Sequence, residues 1–149
     1  MSTTTRTNTT VQVYQLFIGA TPEQIWDAIT KPEFTVQYFH GVHIEFTPEE
    51  RLSRYRDGSE GRQSVAEWRP PHRLVHEWLS DYDPELAAEE PSRVTWEIEA
   101  QEDGVSKLTV THDQLEGAPK TAASVSGEGW MGVLSGLKTL VETGKPLGG

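Results

Sequence analysis

The sequence predicts an α+β fold: a curved antiparallel sheet wrapped around a long C-terminal helix, with two short helices after the first strand. Three observations carry that expectation. Apolar and polar residues alternate in a series of short stretches between residues 11 and 113, the period of half-buried strands. The first stretch is followed at once by strong helix-start signals. Residues 118–141 then place Trp130, Val133, Leu134, Leu137 and Val141 along one side of a helix, the stripe of an element that buries one face.

Residues 1–10 are mostly threonine and read as a flexible tail before a single domain over 11–144, with 145–149 as a short end piece. Val11, Val13, Leu16 and Ile18 mark the first strand, with a bulge near Tyr14 where the alternation changes phase. Thr21-Pro22-Glu23-Gln24 opens the first helix: Thr21 caps, Pro22 suits the first turn and Gln24 completes a capping box. Ile25, Trp26 and Ile29 give it an apolar face, and Lys31-Pro32 ends it. A second short helix from Pro32 carries Phe34 and Tyr38 and leads into Phe39-His40-Gly41.

Strands follow at 42–46, 52–55, 61–68 and 74–79, with Arg56-Asp57-Gly58-Ser59 as a tight turn and Pro70-Pro71 as another. Residues 81–91 read as an exposed acidic loop. Val94, Trp96 and Ile98, then Leu108, Val110 and His112, mark the last two strands, joined at Asp103-Gly104. One face of such a sheet needs cover, and the last helix is the large amphipathic element available for it. Pro119 suits its first turn, and Gly144 and Pro146 stop it.

That helix poses the functional question. Gly127, Gly129, Gly132 and Gly136 lie inside it, each costing roughly 1 kcal/mol against alanine. Gly129, Gly132 and Gly136 share one flank beside the apolar stripe. Two readings stand open: close packing against the sheet, or space left for a guest.

Composition narrows the classes. A formal net charge of -10 with no basic stripe argues against nucleic acid and against an anionic membrane surface. The absence of cysteine removes disulfides, thiolate metal sites and a cysteine nucleophile, and suits a cytoplasmic protein. No apolar run approaches the roughly 18 residues of a membrane span. Small molecules or proteins remain as partners.

Motifs for chemistry are weak. Gly127-Glu128-Gly129-Trp130-Met131-Gly132 matches G-x-G-x-x-G, but no strand runs directly into it. Asp81, Asp83 and Glu85 alternate like calcium ligands, yet Leu86 and Ser92 occupy the positions that need glycine and glutamate. His40 and His43 are close, with no third metal ligand evident. His76 lies between Leu74 and Trp78 in alternation, and His112 follows Leu108 and Val110, so both imidazoles face the interior if those strand faces do. No serine–histidine–acid spacing or paired carboxylate points to catalysis, and no cofactor motif is present.

Four stretches together resemble the START-like (SRPBCC) helix-grip superfamily, in the branch related to the C-terminal domain of the activator of Hsp90 ATPase. They are the helix opening Ala20-Thr21-Pro22-Glu23-Gln24-Ile25-Trp26, the turn Lys31-Pro32-Glu33-Phe34 to Tyr38-Phe39, the hairpin around Trp68-Arg69-Pro70-Pro71-His72, and the last helix from Gly129-Trp130 onward. The resemblance implies a helix-grip fold. It also implies one of three roles: binder of a small apolar molecule, protein-interaction module in a chaperone or stress response, or polyketide cyclase-like enzyme.

The residue pattern favours the first, non-catalytic role, in a chamber between sheet and terminal helix. Phe39 would guard the entrance. Trp78, Trp96 and Trp130 would supply stacking contact, His76 and His112 would orient polar atoms, and Leu134 would form part of the floor. No catalytic residue, metal or cofactor is expected. The protein-interaction alternative predicts a filled interior and binding through the outer sheet face and the acidic loop.

Overall fold

The structure, a computed structural model, describes residues 11–80 and 82–148, and the side chains of these except 127 and 128. The threonine-rich stretch 1–10 and Asp81 of the acidic loop lie outside the described residues.

The strands are β1 (Gln12–Ile18), β2 (His43–Phe46), β3 (Glu50–Arg54), β4 (Glu60–Arg69), β5 (Arg73–Trp78), β6 (Ser92–Ala100) and β7 (Ser106–Asp113). They form one sheet in the order β1-β7-β6-β5-β4-β3-β2, with each described pairing antiparallel. Strands β2 to β7 meander, and β1 adds on beyond β7. Helices α1 (Pro22–Thr30) and α2 (Pro32–Tyr38) carry the chain from one edge of the sheet to the other. At the start of α1 the Thr21 hydroxyl accepts from the Gln24 N–H (3.2 Å), and the Gln24 side chain accepts from the Thr21 N–H (2.9 Å). The reciprocal pair satisfies two otherwise orphaned groups of the helix start.

Cross-strand pairing fixes which side chains look inward. Leu74, His76 and Trp78 pair with Trp96, Val94 and Ser92, and Val94, Trp96 and Ile98 pair with His112, Val110 and Leu108. All of these are buried. The concave face of β5, β6 and β7 is therefore the core face, as the alternation of apolar residues predicts.

Two strands differ from expectation. In β1 the register to β7 runs one-to-one from Gln12 to Ile18, without the bulge near Tyr14. Gln12, Tyr14, Leu16 and Ile18 face inward, while Val11, Val13 and Phe17 stay exposed. The polar Gln12 is satisfied inside: its amide donates to the Ala122 carbonyl (3.1 Å) and its oxygen accepts from the Tyr14 hydroxyl (3.0 Å). In β3, Arg51 and Ser53 share the inner face, because they pair with the buried Phe46 and Ile44 of β2.

The last helix runs as α4 (Pro119–Ser124), one π-helical turn (Val125–Gly129) and α5 (Trp130–Thr143), ending at Gly144 with φ +78°. Trp130, Val133, Leu134, Leu137 and Leu140 are buried against the sheet, and Val141 packs at the margin. The acidic loop is exposed at Tyr82, Pro84, Glu85, Ala88, Glu90 and Pro91, as expected, and it is also structured. It contains the helical turn α3 (Pro84–Ala87), and Glu89 caps α4 from a distance. Its carboxylate accepts from the N–H groups of Lys120 and Thr121 (2.8 Å each) and from the Thr121 hydroxyl (2.7 Å). No described helix is long and apolar enough to cross a membrane.

The glycines of α5 do different things. A Cβ on Gly136 would stand 2.9 Å from Cβ of Tyr38, so this glycine lets α5 approach α2. A Cβ on Gly132 would meet nothing within 4 Å. Gly136→Ala is expected to destabilise the protein by about 1–3 kcal/mol through overpacking. Gly132→Ala is expected to stabilise it by up to about 1 kcal/mol through helix propensity. Urea midpoints of the two variants measure this, and equal shifts would contradict the packing described.

Candidate functional site

A cavity of about 650 Å³ opens between the concave sheet face and the terminal helix. Its inner wall carries Phe39, Ile44, Arg51, Trp78, Trp130 and Val133. Its outer end is formed by exposed residues, among them His40, Arg56, Asp57 and Tyr82. The cavity therefore runs from solvent to the buried core.

The helix wall coincides with the π turn. Ser124, Val125, Gly129 and Trp130 all line the cavity. A Cβ on Gly129 would stand 3.0 Å from the Ser124 carbonyl oxygen, so a side chain there would press on the widened turn. Gly129 thus belongs to the cavity, Gly136 to helix packing and Gly132 to the surface, and the flank of three glycines has no common purpose.

Three aromatic rings meet at the inner wall. Trp78 and Trp130 have centroids 5.6 Å apart, and Phe39 lies 6.1 Å from Trp78 and 6.5 Å from Trp130. The guanidinium carbon of Arg51 sits 4.8 Å from the Trp78 centroid and 5.8 Å from that of Phe39, within reach of cation–π attraction. Arg51 is only 5 % exposed, and its Nη1 donates to Gln63 Oε1 at 2.7 Å.

Behind these rings lie the two histidines, each holding a tryptophan. Trp130 Nε1–H donates to His112 Nδ1 (3.1 Å), and Ser92 Oγ stands 2.7 Å from His112 Nε2. With Nδ1 as acceptor, the proton resides on Nε2, which donates to Ser92. Trp96 Nε1–H donates to His76 Nε2 (3.0 Å), and His76 Nδ1–H donates to the Glu77 carbonyl (2.8 Å). Both imidazoles are fully committed as neutral rings. Burial, with the nearby Arg51 charge, pushes His76 down to about 3; burial pushes His112 down to about 4.

Of the residues the sequence singled out, Phe39, Trp78 and Trp130 line the cavity. His76, Trp96, His112 and Leu134 are buried in the layer behind and are absent from the lining. Both ring nitrogens of each histidine are used by the protein, so as placed they brace the wall. The sequence reading missed Arg51. No alternation signal pointed to it: Leu52, between Arg51 and Ser53, is apolar and also buried.

A family model described as "Activator of Hsp90 ATPase homolog 1-like protein" matches residues 19–142. The chain belongs to the AHSA1-like family. Solved structures of the same helix-grip, SRPBCC-type fold surround this AHSA1-like chain at low sequence identity. PFC0360w, an HSP90 activator from Plasmodium falciparum, superposes with a TM-score of 0.69 at 20% identity, over 92% of this chain and 98% of that one. Protein MLL2253 from Mesorhizobium loti gives 0.70 at 19% identity, over 88% and 96%. CalU16 from Micromonospora echinospora gives 0.68 at 18% identity, over 91% and 76%. At these identities the likeness establishes the AHSA1-like fold and leaves function to the site. No curated protein sequence matches the chain.

Proposed function

We propose that this AHSA1-like chain is a non-catalytic receptor for a small hydrophobic or aromatic molecule, held between the sheet and the terminal helix. The observation that carries this reading is the cavity. Its volume of about 650 Å³ falls within the range of small-molecule sites, and Phe39, Trp78 and Trp130 stand together on its wall. Phe39 flanks the way in, and Trp78 and Trp130 offer stacking faces. His76 and His112 act one layer back, by fixing Trp96 and Trp130, with Leu134 packed behind.

A cyclase-like reaction would need an acid or base deep in the chamber; the two interior imidazoles have both nitrogens occupied, and His40, Asp57 and Tyr82 of the lining stand at the solvent end. A protein-interaction role predicts a filled interior, and an open cavity argues for a guest. The acidic loop offered to such a partner has Glu89 engaged in capping α4.

Titration with naphthalene or a similar neutral aromatic is expected to change tryptophan emission with micromolar affinity. Val133→Phe, which adds bulk on the cavity wall, is expected to weaken binding about tenfold or more, with the urea midpoint recorded alongside to show that the fold is kept. Undiminished affinity in Val133→Phe, or no response to any aromatic compound, would remove the receptor reading. A protein partner bound equally by both forms would favour the interaction module.

A further inference from the structure

We propose that the guest is a neutral aromatic molecule with a carbonyl oxygen on its edge, and that the Ser80 hydroxyl donates to that oxygen. This rests on the receptor reading above and deepens it by naming the group that selects the guest. Ser80 follows β5 and lines the cavity beside Trp78, yet it is only 2 % exposed. Its Oγ accepts the indole N–H of Trp78 at 3.0 Å. An indole nitrogen donates and does not accept, so the hydroxyl proton must point elsewhere. Among the described residues no group accepts it. A buried donor without an acceptor is uncommon and unfavourable in a folded protein. Here the donor borders a cavity, where a guest can supply the acceptor.

The other polar groups of the inner wall are committed. The Trp130 indole N–H goes to His112, and that of Trp78 to Ser80 itself. Arg51 donates to Gln63 and lies against the rings of Trp78 and Phe39. The remaining lining hydroxyls, on Tyr55, Tyr82 and Ser124, are more exposed than that of Ser80. The position of Ser80 also suits a stacked guest. Its bond to the Trp78 N–H holds Oγ at the edge of the indole. A ring lying against Trp78 then has its own edge within reach of the hydroxyl proton, which turns about the Cβ–Oγ bond to meet it. The indole selects a flat body, and the hydroxyl selects an oxygen over a carbon at one point of its rim.

The test compares acetylnaphthalene with isopropenylnaphthalene, which share a shape and differ by a carbonyl oxygen in place of a methylene carbon. Calorimetry gives the ratio of their affinities in the wild type, in Ser80→Ala and in Ser80→Thr. Loss of the hydroxyl is expected to shift the ratio against the ketone by about fivefold, and Ser80→Thr, which keeps a hydroxyl, should retain the wild-type ratio. The ratio cancels a loosening of Trp78, since both compounds feel it. If Ser80→Ala fails to fold, the infrared carbonyl band of the ketone bound to the wild type decides. A band below its position in hexane is expected, and a band at the hexane position overturns the proposal. An unchanged ratio in Ser80→Ala, or binding of the hydrocarbon alone to the wild type, overturns the carbonyl proposal while the receptor reading stands. Binding of neither compound overturns both.

Discussion

His112→Ala is expected to lower stability by about 3–5 kcal/mol and to loosen the cavity wall with it. The imidazole is buried and serves two groups at once. Removing it leaves the Trp130 indole N–H and the Ser92 hydroxyl without their partner, each at about 1–3 kcal/mol for a buried unsatisfied group. The vacated volume adds a further loss of packing. Trp130 is 1 % exposed and touches Trp78, Trp96 and Phe39, so its displacement reaches the inner wall. A fall in urea midpoint together with a loss of near-ultraviolet circular dichroism is the expected signature. His112→Asn should restore part of the stability, because its side-chain oxygen offers an acceptor near the place of Nδ1. An alanine variant as stable as wild type would show that the relay contributes nothing.

Acid should unfold the protein through the same two histidines. In each, the nitrogen that would take the proton already accepts an indole N–H, so protonation sets two donors against each other. The folded-state values, about 3 for His76 and about 4 for His112, lie below the ordinary 6.5. The unfolded chain therefore binds protons that the folded chain refuses. Stability from this source is complete above about pH 6.5 and is lost as pH falls through the window from 6.5 towards 4 and 3. The loss amounts to roughly 1 kcal/mol per pH unit for each ring inside its window. Urea unfolding at a series of pH values should record this slope. A His76 or His112 imidazole resonance that titrates near 6.5 in the folded protein would contradict it.

Elements built from local chemistry were legible in the sequence. The capping box of Thr21 and Gln24, the inward phase of β5 to β7, and the stripe of the last helix all follow from neighbours a few residues apart. Other features depend on partners far along the chain. Gln12 faces inward because a carbonyl 110 residues away accepts its amide. Arg51 faces inward because Gln63, Trp78 and Phe39 come from three other elements to receive it. An apolar-in, polar-out rule misplaces both, and in β1 it invents a bulge to keep two valines inside. The role expected of His76 and His112 has the same origin. Their direction was readable from alternation, but Trp96 and Trp130 as hydrogen-bond donors were not. The π turn at 125–129 interrupts a pattern that reads as plain helix, and only the wall it forms reveals its place.

The central claim is that a guest lies against Trp78 and Trp130. Indole N–H resonances of the nitrogen-15-labelled protein, followed during titration with naphthalene, test it most directly. The signals of Trp78 and Trp130 should move to saturation. Those of Trp26 and Trp68, packed edge to face with centroids 5.1 Å apart and absent from the cavity lining, should hold still. If the first pair stays fixed at saturating ligand, or if the second pair moves alone, the guest lies elsewhere and the cavity is not its site.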